Sequence, residues 1–357
     1  MSSPTLGQLM WGGQNAIHGE IGLEIETEAK RNYDVPNDVY AYWNVQEDGS
    51  LRDIGREFVF RQPYNYNSDE YRKALAAFEA LAKTVKFQKS VYSSVHVHFN
   101  QVDRTLPQIA NFICLYLLCE EVLTRYCGPD RDGNLFCLKV SNAEQTWHSV
   151  RNLFHNMSEW KKIGYRGPKD AVGVLREDNL KYSSINVATL RTIGSIEIRT
   201  HGGTTDVVDI DRWIGTLYRL YDLAKSFENP NRILKLFKYW DQKRIFNKFF
   251  GEYAEFLDLT NLEKDTKAAL YYVGTIASSV KDWSKLGYVE KVVAPPRKRK
   301  IATVGLTDTY TNTTLNTAAD VGHYAQLLEE MVTRENRIRA NPTPPPLMPT
   351  PTVWGER

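Results

Sequence analysis

The sequence predicts an α+β fold, an antiparallel sheet with helices packed on one face, followed by an extended C-terminal tail. Three observations predict it. Residues 18–28, 90–100 and 194–200 alternate polar with apolar side chains, the period-two signature of half-buried strands. Residues 46–51, Gln-Glu-Asp-Gly-Ser-Leu, set an Asp-Gly turn signal between two strand-like runs, which makes a hairpin. Residues 69–88, 106–126 and 207–221 carry apolar side chains at helical spacing. The folded domain is expected over residues 1–290, and a basic, Pro-rich and partly disordered tail over 291–357.

A chain of 357 residues can bury a full core, and 42% hydrophobic with 25% charged residues is a soluble, globular balance. A net charge of +2 indicates no general affinity for nucleic acid or membrane surfaces. Cys114, Cys119, Cys127 and Cys137 lack C-x-x-C spacing and read as buried thiols in a reducing compartment. Met1 to Met10 shows no basic segment followed by an apolar core, and the apolar stretch Ile109 to Cys119 is short for a bilayer, so a cytoplasmic protein is expected.

In chain order, His18 to Glu28 is the first strand, with Glu20, Glu24, Glu26 and Glu28 on one face and Ile21, Leu23 and Ile25 on the other. Val39 to Val45 and Arg56 to Arg61 form the hairpin, and Pro63 ends it. The helix over 69–88 stacks Leu75, Phe78, Leu81, Ala82 and Val85, with Ser68 or Asp69 as its cap. Ser90 to Asn100 returns as a strand in which Ser94, His96 and His98 oppose Val95, Val97 and Phe99. Leu106 to Tyr126 reads as a central helix. From Gly128 the pattern weakens to a turn, a helix over Asn142 to Trp160, and a loop carrying Gly164, Arg166, Gly167 and Pro168. Lys181 to Val187 and Gly194 to Thr200 are strands, the second running into His201-Gly202-Gly203-Thr204-Thr205 ahead of a helix. That junction can offer backbone N–H groups to an anion. Residues 230–290 are helical and aromatic-rich, and a tail helix is expected from about 318 to 340.

The polar faces carry the chemistry. Carboxylates two apart on a strand sit about 6.6 Å from each other, and each pair repels by roughly 2.5 kcal/mol at an effective dielectric near 20. A buried row of them needs a counter-charge, and hard divalent cations offset several at once. Glu24/Glu26, Glu57, His96/His98 and Glu197/Arg199 gathered on one sheet face suit Mg-nucleotide chemistry, in which carboxylates hold metal, metal clamps phosphate, and an arginine stabilises the transferring group.

Gly22-Leu-Glu-Ile-Glu26, Asp48-Gly-Ser-Leu51 followed by Glu57, Ser94-Val-His-Val-His98, Lys181 to Asn186, and Ile196-Glu-Ile-Arg-Thr-His-Gly-Gly-Thr204 occur in an order that resembles the phage and bacterial amidoligases. These are carboxylate-amine ligases that share the glutamine synthetase fold, and the resemblance covers roughly residues 18 to 225. It implies a glutamine-synthetase-like sheet and a ligase using ATP with Mg²⁺, or Mn²⁺ in its place, to join a carboxylate to an amine through an acyl phosphate. Peptides, polyamines and amino acids are among the substrates it allows. It further implies Glu24, Glu26, Glu57 and Glu197 as metal ligands, His98 and, less favoured, His96 beside the metal or the phosphates, and Arg199 on the γ-phosphate. Asp48 and Ser50 would orient substrate, and Lys181 and Asn186 would hold nucleotide or carboxylate.

Three rival readings start from the same residues. Alternating histidines also build zinc hydrolase sites, but the remaining histidines show no strand-end pattern to complete one. A phosphotransferase acting on a guanidino group would keep the fold and the metal site. A catalytically inert virion or interaction protein would work through its tail.

Overall fold

The computed structural model describes residues 3–13, 18–165, 167–175 and 180–287. The expected tail from 291 onward, with its basic run and its helix, lies outside the described residues, as does Arg166. The fold is a mixture of helices and one open antiparallel sheet.

Seven strands build the sheet: β1 (Ile21–Ala29), β2 (Trp43–Glu47), β3 (Ile54–Phe60), β4 (Phe87–Gln88), β5 (Ser94–Asn100), β6 (Ile185–Asn186) and β7 (Ser195–Gly202). They are ordered β2-β3-β1-β5-β7-β6, with β4 paired to the end of β1. The Asp-Gly hairpin forms as expected, with Glu47 opposite Arg56 and Gln46 opposite Glu57. Its first strand starts later than the sequence suggested. Val39 lies in a single helical turn, Asn37–Tyr40, entered from Pro36, and the strand begins at Trp43.

One face of the sheet is the core. Ile21, Leu23, Ile25, Phe58, Val95, Val97, Phe99, Ile196 and Ile198 are fully buried, the outcome that period-two alternation dictates once helices cover one side. Helix α1 (Asp69–Thr84) is capped by Ser68, whose Oγ accepts from the Tyr71 N–H at 3.2 Å, and it lays Phe78 5.2 Å from the Phe58 ring. Trp43 Nε1 donates to Ala74 O at 2.8 Å, pinning the edge strand to this helix. The helix is four residues shorter than expected because Phe87 and Gln88 turn back to pair with β1.

Helix α2 (Leu106–Cys127) crosses the same face, with Phe112 5.2 Å from Phe99. It is long and apolar enough to span a bilayer, longer than the stretch picked out from sequence, and 89% of its apolar window is buried inside the domain, so it serves here as the core helix. Helix α3 (Glu144–Ile163), α4 (Val207–Leu223), α5 (Pro230–Tyr239), α6 (Gln242–Phe250) and α7 (Leu262–Ser278) complete the described layers. Cys114, Cys119 and Cys137 are buried, Cys127 is partly so, and all four are free thiols.

Candidate active site

The opposite face of the sheet carries the polar residues in rows set by strand register. Gln46, Glu57 and Glu26 line up across β2, β3 and β1. Glu24 of β1 faces His96 of β5. Gly22, His98, Glu197 and Asn186 make a third row across β1, β5, β7 and β6. Eight of the residues expected from sequence therefore share one surface: Glu24, Glu26, Glu57, His96, His98, Asn186, Glu197 and Arg199. Gly22 is needed for this packing, since a Cβ there would stand 3.1 Å from the His98 Cβ.

Arg199 reaches the group through an irregularity. Val97 faces Ile198 but Val95 faces His201, so β7 has one more residue than β5 between these pairs, and Arg199 and Thr200 together oppose His96. Such a bulge re-aims a side chain without ending the strand. The Arg199 Nη1 donates to Glu197 Oε1, while its buried Nε has no partner among the described residues. Asn186 Nδ2 donates to the other oxygen of Glu197 at 2.8 Å.

A chain of protons decides the state of His96. Ser94 Oγ lies 2.6 Å from Glu26 Oε2 and 2.6 Å from His96 Nε2. An ionised carboxylate only accepts, so the single hydroxyl proton goes to Glu26, and His96 Nε2–H must donate to the serine oxygen. Nδ1 of His96 then points between Glu24 Oε2, at 3.1 Å, and Glu197 Oε1, at 3.4 Å. A nitrogen in that position needs a cation to share with the carboxylates, either a proton or a metal ion. Glu24, His96 and Glu197 each offer one ligand atom, all within 4.8 Å of one another. This donor set fits a divalent cation. Its imidazole suits Mn²⁺ better than an all-oxygen Mg²⁺ shell would require.

His98 stands beside this triad. Its Nε2 meets Glu24 Oε1 at 3.0 Å and its Nδ1 meets Ser195 Oγ at 3.1 Å, so it orients Glu24 with both nitrogens engaged. Burial would raise the pKa of Glu24, but the bonds and charges of His96 and His98 outweigh it and hold the carboxyl well below the usual range. Burial likewise opposes ionisation of Glu197, and His98, Arg199 and His96 overcome it, so that its pKa is also lowered. For His98, burial favours the neutral ring, while the bond to Glu24 and its charge raise the pKa overall. Glu57 differs. Burial and the charges of Glu24 and Glu26 push it up, against a hydrogen bond from Gln46.

The structure does not bring the other expected residues to this surface. Asp48 Oδ1 accepts from both the amide and the hydroxyl of Ser50, at 2.8 and 2.7 Å, which closes the hairpin turn. Lys181 is exposed, in a turn before β6 rather than in a strand, with its Nζ 5.1 Å from the Tyr182 ring centroid. Gln46 and Ser195 support the site without having been singled out from sequence. Gln46 follows from the hairpin register alone, whereas Ser195 depends on the pairing of β5 with β7, nearly a hundred residues apart in the chain.

Cavities adjoin both ends of the polar surface. One of about 830 Å³ is lined by Glu24, His98, Ser195, Arg61 and Tyr64, and one of about 750 Å³ reaches Glu26. A family model described as "Putative amidoligase enzyme" matches residues 14–220, more than half of the chain and the whole of the polar surface. The chain belongs to this amidoligase family. Membership carries a ligase-type activity. No curated protein matches the chain.

Proposed function

We propose that this amidoligase joins a carboxylate to an amine at the expense of ATP, through an acyl phosphate, on a glutamine-synthetase-like sheet. The observation that carries the reading is the triad of Glu24, His96 and Glu197, tied to Arg199 on one side and to Glu26 on the other. A divalent cation held by the triad would neutralise charge on the phosphates and on the transferring group.

The chain's own residues supply the rest. His98 and Asn186 fix the orientations of Glu24 and Glu197. Arg199, with an unpartnered Nε beside the triad, offers a planar donor to a transferring phosphoryl group. In the first step a substrate carboxylate oxygen bonds to the γ-phosphorus as the bond to the ADP oxygen breaks. In the second the amine nitrogen bonds to the acyl carbon, the C–O bond to phosphate breaks, and the amine loses a proton to solvent. Phosphate leaves readily where oxide would not, which is why activation precedes attack.

ATP-dependent phosphate release across panels of carboxylates and amines tests the reading. Wild type is expected to release phosphate only when both substrates are present, and Glu24→Gln to release it about three orders of magnitude more slowly. Phosphate that stays on an acceptor would identify a phosphotransferase instead, and no ATP turnover with any pair would remove the ligase.

A further inference from the structure

The cavity at the Glu26 end of the polar surface has a charge that the reaction has not yet used. Glu26, Asp130, Asp206 and Asp209 line it, against Lys89 and Arg131. Arg131 is buried and spends its donors on backbone, with Nε on Thr200 O at 2.7 Å and Nη2 on Arg199 O at 2.9 Å. His201 Nε2 is 3.6 Å from Asp209 Oδ2, and burial holds this imidazole toward its neutral form. Four carboxylates thus face two fixed cations.

The glycine turn in the wall, which sequence offered as an anion cradle, is already satisfied. Gly203 N–H donates to Ser93 O at 2.8 Å, Asp206 N–H to Thr204 Oγ1 at 3.2 Å, and Val208 N–H to Asp206 Oδ1 at 3.0 Å. The Asp206 carboxylate occupies the helix N-terminus where an anion would bind. Ser93 differs. It is 3% exposed, lines the cavity, and its Oγ has no hydrogen-bond partner among the described residues. A buried hydroxyl without a partner calls for one from a ligand.

We propose that this cavity takes the amine substrate, and that the substrate is a cation with a second positive group, such as a diamine or polyamine. The proposal rests on the ligase reading and assigns its acceptor. Glu26, which bonds Ser94 beside His96, links the cavity to the triad, so an amine entering from this side reaches the reaction centre at its edge. Its distal ammonium pairs with Asp130 and Asp209, and in a polyamine Ser93 Oγ accepts from an internal ammonium.

Titration calorimetry of the full chain, with and without Mg-ATP, tests this using cadaverine, pentylamine and glutarate as probes. Cadaverine is expected to bind tightest, and Asp130→Asn with Asp209→Asn to weaken it by about tenfold while changing pentylamine less, as for a partly desolvated charge pair. Asp130 is exposed in a 3-10 turn, and its carboxylate has no hydrogen bond among the described residues, so Asp130→Asn alone keeps the test open if the double variant misfolds. Equal binding of cadaverine and pentylamine, preference for glutarate, no saturable amine binding, or cadaverine affinity unchanged in the variants would overturn the assignment. The two readings fail separately. Charge-dependent cadaverine binding without phosphate release from any carboxylate would keep the cavity and remove the ligase, and phosphate release without charge-dependent amine binding would do the reverse.

Discussion

The two faces of strand β1 are made from alternate residues of one nine-residue segment, yet they do opposite things to the protein. Ile21, Leu23 and Ile25 disappear into a core shared with Phe58, Phe78 and Phe99. Glu24, Glu26 and Glu57 hold charge against charge on the other side, where the imidazoles of His96 and His98 outweigh burial at Glu24 but leave Glu57 with desolvation and repulsion that raise its pKa. One face stores stability, and the other consumes some of it at Glu57, the usual relation between a core and a functional site.

Paired substitutions break that comparison most sharply. Glu24→Gln is expected to lower turnover by about three orders of magnitude, because the cation position loses an anionic ligand. Its unfolding midpoint should fall modestly, because the lowered pKa of Glu24 means that the folded site favours the ionised carboxylate. Phe58→Ala should cost more, about 3–5 kcal/mol of stability, as a cavity opens among Trp43, Phe78 and Phe87. Denaturant unfolding and phosphate-release kinetics on both variants would check the pair, and equal losses of stability would mean that the faces are not functionally distinct.

A buried carboxylate away from the site sharpens the contrast, because nothing in the site requires it to ionise. Glu120 of α2 accepts from Ser184 Oγ and from the Val140 N–H, and burial pushes its pKa from 4.5 up to about 7. The folded protein therefore holds this proton more tightly than the unfolded chain. The resulting stability is full below about pH 4.5, falls as pH rises toward 7 and then levels off, a loss on the order of 3 kcal/mol. Glu120→Gln should remove this slope from urea unfolding measured across that range. A slope that persists would assign it to other groups.

The smallest expected effect tests spacing. Gly22→Ala would press a methyl against His98, and a shift of a few tenths of an ångström should lower turnover roughly tenfold with under about 1 kcal/mol of destabilisation. Activity equal to wild type would mean that the position of His98 is not critical.

What could be read beforehand follows from locality. The alternation in β1, β5 and β7 exposes which side chains share a face, and the Asp-Gly turn sets the pairing of Gln46 with Glu57. Neither reveals a bulge, because the extra residue in β7 exists only relative to β5. The balance between His96 and His98 likewise hangs on a serine proton and on Ser195, contacts between strands far apart in sequence. Asp48 and Ser50 show the limit of proximity along the chain. They stand near Glu57 in the chain, but Asp48 Oδ1 and the Ser50 hydroxyl bond each other within their own turn. Lys181 lies outside the ladder, since only Ile185 and Asn186 of the expected strand pair with β7.

The central claim is that the triad holds a metal and nucleotide together. Thermal unfolding with ATP alone, Mg²⁺ or Mn²⁺ alone, and nucleotide with metal, on wild type and Glu24→Gln, tests it most directly, because a ligand that binds only the folded state raises the midpoint by mass action. The account predicts a wild-type shift with both ligands that exceeds the sum of the separate shifts, and its loss in Glu24→Gln. The same shift in both proteins, or none in any combination, would contradict it.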